Sequence, residues 1–400
     1  MKGLNLYVFG SSLTSAFWNG AATYYRGLYK NLHQLGYRIT FAEPDIYNRL
    51  QHRDWPPGED PPYARCPVYR GRAELEGCLR AARDADLIIK HSGVGAEDEF
   101  LEAAVLDAAA AAPAGARPRV AFWDVDAPAT LAALEADEAD EADEAAAAAP
   151  MPGLRRHLCS YDFVFTYGGG PPVVERYLRL GARCCYPVYN GLDPDTHFPE
   201  PPVDAWRSDV MFLGHRLPDR EERVQRFFLG AARRDPQHQY LLAGEGWEGA
   251  EVGANVRRCG YVSPSQHNRL NASARLVVNL NRDSMARAGF SPPTRIFEAA
   301  GAAATIVSDA WAGMALFFEP GREILLASGP DDIRDYAAGL APAAAALMGQ
   351  RARQRALADH TYARRAVRVH RLLHAAAGPS AGLGSASASA SATGPARVAA

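Results

Sequence analysis

The segment from residue 279 to residue 326 holds the side chains best suited to bind a charged ligand. A predicted strand ends at Asn279, a polar loop follows, and Ser291-Pro292-Pro293-Thr294 then begins a predicted helix. The first turn of a helix offers free backbone N–H groups and a positive dipole end, which suit a diphosphate. Glu298 lies one turn further along, where its carboxylate could accept hydrogen bonds from ribose hydroxyls. The pattern therefore predicts a nucleotide-binding site at this helix.

A second set of chemically capable residues follows predicted strands in the first half of the chain. Gly10 and Ser11 follow the first strand, His91 a later one, and Asp124 and Asp126 the next. Open α/β sheets bind ligands at the carboxyl ends of their strands, and an imidazole or carboxylate there could act as a general base. The turn at Gly10 lacks the glycine spacing of a dinucleotide fingerprint. The alternative is that the aspartates only cap the next helix and that His91 is structural.

These residues require a scaffold, and short apolar segments alternate with helical patterns along the chain. Several of the apolar segments are continuous, which is typical of parallel strands covered on both faces. The alternation predicts an α/β fold with doubly wound, Rossmann-like sheets. The predicted strands are Leu4–Phe9, Tyr37–Ala42, Asp86–Lys90, Arg119–Trp123, Asp162–Thr166, Arg183–Pro187, Asp209–Leu213, Gln239–Ala243, Arg275–Asn279, Ala304–Ser308 and Glu323–Ala327.

The strand series restarts after a proline-rich stretch, which predicts two domains. We expect a first domain over residues 1–190, a linker over 191–207 and a second domain over 208–374. The alternative, one sheet with a long surface loop, would need an unusually wide open sheet. Residues 134–150 form an acidic, alanine-rich insertion, and residues 375–400 form an Ala/Ser/Gly-rich tail that is predicted to be disordered.

Composition excludes several classes of protein. The net charge of −3 lacks the basic excess that non-specific nucleic-acid binding needs. No apolar run approaches the roughly 18 residues of a transmembrane helix, and the N-terminus is too short for a signal-peptide core. The six cysteines show neither CxxC nor metal-site spacing, so we expect free thiols, no metal and a cytoplasmic protein.

Several motifs occur in a fixed order in the second half of the chain. They are the strand at Asp209–Gly214 with Arg216, LLAGEGW at 241–247, GYVSP at 260–264, SPPTRIFEAAG at 291–301, SDAWAG at 308–313 and FFEPGREIL at 317–325. This set resembles the C-terminal domain of CgeB-like (spore-maturation-type) glycosyltransferases, which are group-1 glycosyltransferases of the GT-B fold. The resemblance covers about residues 205–330. It is weaker over residues 1–190, where AFWDVDAP at 121–128 and YPVYNGLD at 186–193 match best.

The resemblance implies transfer of a sugar from a nucleotide diphosphate sugar to an acceptor. The donor would lie mainly on the second domain and the unidentified acceptor on the first, with no cofactor besides the donor substrate. No metal is implied, although Asp124-Val125-Asp126 reads as Asp-x-Asp, because that motif is far along the chain from the donor motifs. Arginines and a helix N-terminus would then offset the charge of the leaving group.

Donor residues carry over from the resemblance by position. Glu298 matches the glutamate that binds the donor ribose, Arg216 and Arg295 are candidates for the diphosphate, and Tyr261 and Val262 match the positions that meet the base. Gly214 matches the glycine that follows the opening strand of the domain.

One position departs from the family pattern. Many group-1 enzymes carry a second acidic residue eight positions before the ribose glutamate, and that position is Phe290 here. We therefore expect contacts to the donor sugar from Asn281 or Asp283. The stereochemistry of transfer stays open.

Two other functions are compatible with the same motifs. A nucleotide-sugar epimerase of this fold would consume the sugar nucleotide without an acceptor. A non-catalytic coat or assembly relative would bind nucleotide weakly or not at all.

Overall fold

The described residues, 3–17, 19–113, 115–141 and 153–375 of a computed structural model, form two separate parallel β-sheets. The first has seven strands in the order β3-β2-β1-β4-β5-β6-β7. Its strands are β1 (Asn5–Phe9), β2 (Arg38–Pro44), β3 (Val68–Tyr69), β4 (Leu87–His91), β5 (Arg119–Asp124), β6 (Phe163–Thr166) and β7 (Tyr186–Pro187). The accompanying helices are α1 (Ala22–Gln34), α2 (Arg72–Ala82), α3 (Asp98–Ala110), α4 (Ala127–Glu141), α5 (Gly153–His157) and α6 (Gly170–Arg179).

The second sheet has six parallel strands in the order β10-β9-β8-β11-β12-β13. They are β8 (Ser208–Leu213), β9 (Tyr240–Ala243), β10 (Val256–Arg258), β11 (Ala274–Asn279), β12 (Ile306–Asp309) and β13 (Leu325–Ala327). The helices are α7 (Pro218–Arg223), α8 (Gly230–Arg234), α9 (His267–Ser273), α10 (Asp283–Ala288), α11 (Thr294–Gly301), α12 (Pro330–Gly339), α13 (Pro342–Asp359) and α14 (Tyr362–Ala375). A π-helical stretch, Val224–Leu229, joins α7 to α8.

Each sheet is buried on both faces, which explains the continuous apolar strands. Separate clusters of buried side chains lie on the two faces of the first sheet, and the second sheet has the same arrangement. All eleven predicted strands are present, and the predicted α/β two-domain fold is confirmed. The two strands that the sequence did not reveal, β3 and β10, are outer strands of two and three residues.

The first helix begins later than its apolar pattern predicted. The amphipathic pattern of residues 18–35 predicts one helix that ends before Gly36, and the observed helix spans Ala22–Gln34. The Asn19 side-chain amide donates hydrogen bonds to the carbonyl oxygens of Ser12 and Ser15. Because these bonds hold the preceding chain as a loop at the end of β1, α1 cannot extend further towards the N-terminus.

The chain crosses between the two sheets twice, and the crossings lie side by side. The Leu192 N–H donates to the His360 carbonyl oxygen at 2.7 Å, and the Tyr362 N–H donates to the Leu192 carbonyl oxygen at 3.0 Å. After the second crossing α14 packs on α1, where the Tyr362 ring lies against Gly27 so closely that a Cβ there would be 2.1 Å from it. The last helix therefore contributes to the core of the first sheet.

The low-complexity segments lie largely outside the described residues. The predicted insertion at 134–150 starts within α4, where the Arg176 guanidinium donates to both carboxylate oxygens of Glu135 at 2.7 and 2.6 Å. Residues 142–150 of that segment, and residues 376–400 of the tail, are not described. Within the described part of the chain, no helix combines the length and apolar character needed to cross a membrane.

Candidate functional site

The strand order of the second sheet places its main crevice beside β8. In the sheet, β9 lies on one side of β8 and β11 on the other. The strand order therefore reverses direction at β8. Ligands of open α/β sheets bind outside the carboxyl ends of strands at such a switch point. Gly214 follows β8 there, and Asn281 lies shortly after β11.

Two arginines, Arg220 buried and Arg295 partly buried, meet at Gly214. A Cβ on that glycine would lie 2.5 Å from Arg295 Nη1 and 2.9 Å from Arg220 Nη2, so only glycine leaves room for both guanidinium groups. Arg295 donates to the carbonyl oxygens of Leu213 and Leu280, at the ends of the two central strands. Both guanidinium groups also lie over the Phe212 ring, at 5.6 Å for Arg220 and 5.4 Å for Arg295.

Neither arginine of this pair forms an ion pair with a described acidic residue, and their charges repel each other. Burial lowers the pKa of Arg220, and the neighbouring cations Arg295 and Arg282 lower it further. Burial likewise lowers the pKa of Arg295, although the nearby carboxylates of Glu298 and Asp309 oppose this shift. A bound polyanion would relieve this repulsion, because buried charges are favourable only when they are paired. The pair is therefore chemically suited to a polyanion.

Arg216, the arginine that the motif suggested, lies at the rim of the crevice. Its guanidinium is paired with Glu221 and lies 5.9 Å from the centre of the Trp247 ring. Arg220, four residues later and 7% exposed, lies inside. No local pattern distinguishes Arg220 as a candidate, since its burial depends on how α7 packs against the end of β8.

Glu298 lies buried in α11, between two histidines from other segments. Its Oε1 is 3.9 Å from Nε2 of His197, in the linker, and its Oε2 is 3.8 Å from Nδ1 of His267, at the start of α9. Burial alone would raise the pKa of Glu298, but His197, His267 and Arg295 together lower it to about 2. The carboxylate is therefore charged at neutral pH and available to hydroxyl donors. Sequence reasoning missed both histidines.

The turn at Tyr261 and Val262 forms the next wall of the crevice. Tyr261 is 61% exposed, whereas Val262 is buried and its carbonyl oxygen faces Nε2 of His267 at 3.3 Å. Burial raises the pKa of the Tyr261 hydroxyl, and the carboxylates of Asp54 and Glu245 raise it further. Because Asp54 belongs to the first domain, this turn faces the other domain across the cleft.

Asn281 is fully buried beside the arginine pair, and its Oδ1 has no hydrogen-bond partner among the described residues. Its Nδ2 donates to the Ser291 carbonyl oxygen at 3.4 Å. Asp283, the other candidate for sugar contacts, instead pairs with Arg223 at 3.2 Å and with Arg287 at 3.1 Å. A buried polar atom without a partner is uncommon, so Asn281 is the better placed of the two to meet a ligand.

Phe290, which replaces the acidic residue of the family pattern, joins the two domains. It adopts a left-handed backbone conformation with φ of 48°, and its ring packs against Gly170 and Gly313. Its carbonyl oxygen accepts a hydrogen bond from the Gly169 N–H at 2.9 Å. A carboxylate in this apolar contact between the domains would lose its hydration, which fits the presence of phenylalanine.

The comparisons with known proteins agree with this geometry. Residues 220–371, which include Arg220, Arg295 and Glu298, match a family model described as glycosyl transferase-like. The chain is a glycosyltransferase. The prediction of a glycosyltransferase is thereby confirmed. No curated protein matches the sequence significantly.

Solved structures share the fold of this glycosyltransferase at low sequence identity. HepE from Anabaena, solved with UDP-glucose, has a TM-score of 0.62 and 12% identity over 93% of this chain and 100% of its own. Sucrose-phosphate synthase from Thermosynechococcus elongatus has a TM-score of 0.62 and 15% identity over 93% and 98%. A glycosyltransferase of avilamycin A biosynthesis has a TM-score of 0.54 and 17% identity over 94% and 99%. The GT-B fold is confirmed.

In the first domain of the glycosyltransferase, Gly10 and Ser11 begin a rigid loop at the end of β1. A Cβ on Gly10 would lie 2.3 Å from the Phe41 ring. The Ser11 hydroxyl donates to Asn19 Oδ1 at 3.0 Å, and its carbonyl oxygen accepts from Arg49 at 3.0 Å. The loop is thus fixed at the switch point of the first sheet, where β1 lies between β2 and β4.

Asp126 reaches across to the second domain. Its Oδ2 lies 2.9 Å from Arg282 Nη1, and the Nε of the same guanidinium lies 3.0 Å from Asp219 Oδ2. All three side chains are about one-third exposed, so the direct contribution of these pairs to stability is small. Their geometric effect is to hold the end of β5 against the start of α10.

His91 and Asp124 are enclosed in the first domain. His91 has 0% exposure, with its Nε2 2.6 Å from the Tyr29 hydroxyl, and burial lowers its pKa to about 3. Asp124 also has 0% exposure, and burial raises its pKa although four hydrogen bonds to its carboxylate oppose the shift. The donors are Ser92 Oγ, the Asp126 N–H, Thr130 Oγ1 and the Tyr177 hydroxyl. In this geometry the hydrogen bonds of both side chains stabilise the first domain.

Asp124→Ala is expected to lower the free energy of unfolding by about 2–4 kcal/mol, because it leaves several buried donors without an acceptor. Asp126→Ala, two residues away and partly exposed, should change it by less than about 1 kcal/mol. Urea denaturation of both variants measures the difference. If Asp124→Ala unfolds like the wild type but abolishes turnover, Asp124 is catalytic and the structural assignment is wrong.

Proposed function

We propose that the protein transfers a sugar from a uridine diphosphate sugar, held in the crevice of the second domain, to an acceptor bound by the first domain. The observation that carries this proposal is the convergence of Arg220, Arg295 and Glu298 at the end of β8. Two neighbouring cations, neither in an ion pair closer than 4 Å with a described carboxylate, suit the diphosphate, and a buried anion suits the ribose. The finer assignment to CgeB-like enzymes rests on the ordered motifs of the second domain.

Each part of the donor has a matching group in this arrangement. The arginine pair would bind the diphosphate and would stabilise the charge that develops on it when the bond from the sugar C1 to the phosphate oxygen breaks. Glu298 would accept hydrogen bonds from the two ribose hydroxyls. The turn at Tyr261 and Val262 would receive the base, and Asn281 Oδ1 would accept a hydrogen bond from a hydroxyl of the sugar. This arrangement assigns the leaving-group charge to protein cations, with no metal or cofactor.

Uracil is the proposed base because of what related folds bind. Anabaena HepE was solved in complex with UDP-glucose, and a second structure of HepE holds UDP and glucose. The identity of the transferred sugar is left to experiment.

The proposed acceptor surface lies on the loops after β1 and β2, opposite Tyr261. The Phe17 ring, 37% exposed, stacks on His52 with centroids 4.0 Å apart. The two loops are held together because Ser15 Oγ donates to the His52 carbonyl oxygen at 2.7 Å and the Asp54 N–H donates to the Thr14 carbonyl oxygen at 2.9 Å. A rigid surface with an exposed ring could position an acceptor. Asp126 stays the predicted base for its hydroxyl, and a cytoplasmic location stays proposed.

Calorimetric titration of the full chain with UDP, GDP, ADP and dTDP tests the proposal. We expect UDP to bind at least tenfold more tightly than GDP or ADP, and uridine without phosphates to bind far more weakly than UDP. Incubation with UDP-sugars and candidate acceptors should then release UDP faster than incubation without an acceptor. Equal consumption of the donor with no acceptor would favour an epimerase. Failure to bind any of the four nucleotides would favour a non-catalytic relative.

A further inference from the structure

The imidazoles beside Glu298 form a cluster whose chemistry the donor assignment does not use. One ligand-type atom from each of His197, His267 and Glu298 lies within 4.8 Å of the other two. The three residues come from the linker, the start of α9 and the middle of α11, so three separate segments hold them. Two imidazole nitrogens and one carboxylate oxygen are the donor set of many catalytic zinc sites, which leave a fourth position open.

The hydrogen bonds on the far side of each ring decide which nitrogen faces Glu298 without a proton. Nε2 of His267 lies 3.3 Å from the Val262 carbonyl oxygen, which can only accept, so this nitrogen carries the proton. In the neutral ring Nδ1, which faces Glu298, therefore presents a lone pair.

The position of the proton on the His197 ring follows from its hydrogen bonds in the same way. The Thr196 hydroxyl donates its proton to the Asp193 carbonyl oxygen at 3.2 Å. With its proton used in this way, the hydroxyl accepts from His197 Nδ1, which lies 2.9 Å away. In this tautomer Nε2 of the neutral His197 ring is unprotonated, and it faces Glu298 Oε1. Metal-ligating histidines are oriented in this way, by a second ring nitrogen that donates to a protein oxygen.

In these neutral tautomers two nitrogen lone pairs and the Glu298 carboxylate converge; a proton on either inward nitrogen stabilises the carboxylate charge, and a bound metal would take the place of that proton. The nitrogen-to-oxygen distances of 3.9 and 3.8 Å are too long for hydrogen bonds. In a tetrahedral site with zinc bonds of about 2.0 Å the ligand atoms are about 3.3 Å apart. One nitrogen of each histidine and one carboxylate oxygen lie within 4.8 Å of one another, so side-chain rotations would have to shorten these separations by up to about 1.5 Å around a central cation.

We propose that this cluster binds Zn²⁺ in the absence of donor, and that Zn²⁺ and the nucleotide compete for Glu298. The metal is held by Nε2 of His197, Nδ1 of His267 and one carboxylate oxygen of Glu298. The zinc site itself follows from these three residues alone. The competition rests on the proposed function, since it requires the ribose to bind the same carboxylate. Zn²⁺ would then act as an inhibitor of donor binding.

Binding of the metal alone is measured first, on the full chain at pH 8, where free imidazoles are neutral. Competition with a fluorescent zinc chelator should give one Zn²⁺ per chain, and Co²⁺ should give the intense visible absorption of a tetrahedral site. His197→Asn, His267→Asn and Glu298→Gln should each weaken binding at least tenfold. His238→Asn removes a histidine that is 2.8 Å from Asp235 but has no second imidazole, and should leave binding unchanged. Equal binding by wild type and Glu298→Gln would overturn the site.

Competition is measured with uridine, because it carries the ribose but no phosphate that could chelate the metal. Saturating uridine should raise the apparent dissociation constant for Zn²⁺ at least fivefold in the wild type. Zinc binding that uridine leaves unchanged, in a protein that binds uridine, would overturn the competition. If neither uridine nor UDP binds the metal-free protein, the proposed function fails while the zinc site stands.

Discussion

Replacing Arg220 by Met is expected to weaken UDP binding by about 10- to 100-fold and to leave the weak binding of uridine unchanged. A charged hydrogen bond to a phosphate contributes about 1.5–3 kcal/mol, and Met keeps most of the side-chain volume. Arg220 can contribute this energy because its guanidinium is buried and meets Arg295 at Gly214. The loss should therefore follow the diphosphate and not the nucleoside.

The same substitution should not destabilise the protein without ligand. Removing the buried Arg220 cation relieves its desolvation and its repulsion with Arg295, so we expect Arg220→Met to unfold at the same or higher urea concentration than the wild type. Calorimetry with UDP and uridine, beside urea denaturation, measures both effects. Arg226→Met, on the exposed side of the same helical segment, is the matched control and should change neither. UDP affinity equal to that of the wild type would remove Arg220 from the donor site.

Glu298→Ala is expected to weaken UDP binding by about 1.5–3 kcal/mol, and Glu298→Gln by less, because Gln keeps one acceptor but loses the charge. The decisive measurement compares the binding of UDP with that of 2′-deoxy-UDP, which lacks one of the two ribose hydroxyls. The cost of Glu298→Ala should be clearly smaller for this ligand than for UDP. The control is Glu222→Ala, which removes an exposed carboxylate of α7. Equal losses for the two nucleotides would mean that the carboxylate does not bind the 2′-hydroxyl.

The pH dependence of Glu298 follows from its lowered pKa. The group binds its proton at about pH 2 in the folded protein and near its ordinary 4.5 when unfolded. Its charge therefore stabilises the fold fully above about pH 4.5, and this contribution is lost as the pH falls towards 2. Between pH 5 and 8 the affinity difference between wild type and Glu298→Gln should stay constant. A difference that disappears at pH 5 would show that the carboxylate is protonated there.

The sequence determined the fold because the fold depends on local patterns. Continuous apolar strands between amphipathic helices specify parallel sheets, and the restart at residue 208 specifies a second one. Two short outer strands, Val68–Tyr69 and Val256–Arg258, were not predicted. The position of Glu298 in the second turn of a helix also follows from a local pattern. That helix begins directly after the proline pair, as the sequence predicted.

What only the tertiary structure decided is which polar side chains are buried together. In an arginine-rich sequence nothing local separates Arg216, paired at the rim, from Arg220, buried without an acid. The grouping of His197 and His267 around Glu298 joins three segments whose spacing resembles no motif. Burial, and hence charge repulsion and proton placement, depends on contacts between elements distant in sequence. These contacts arise from the packing of helices on the two sheets, and a local sequence pattern does not specify them.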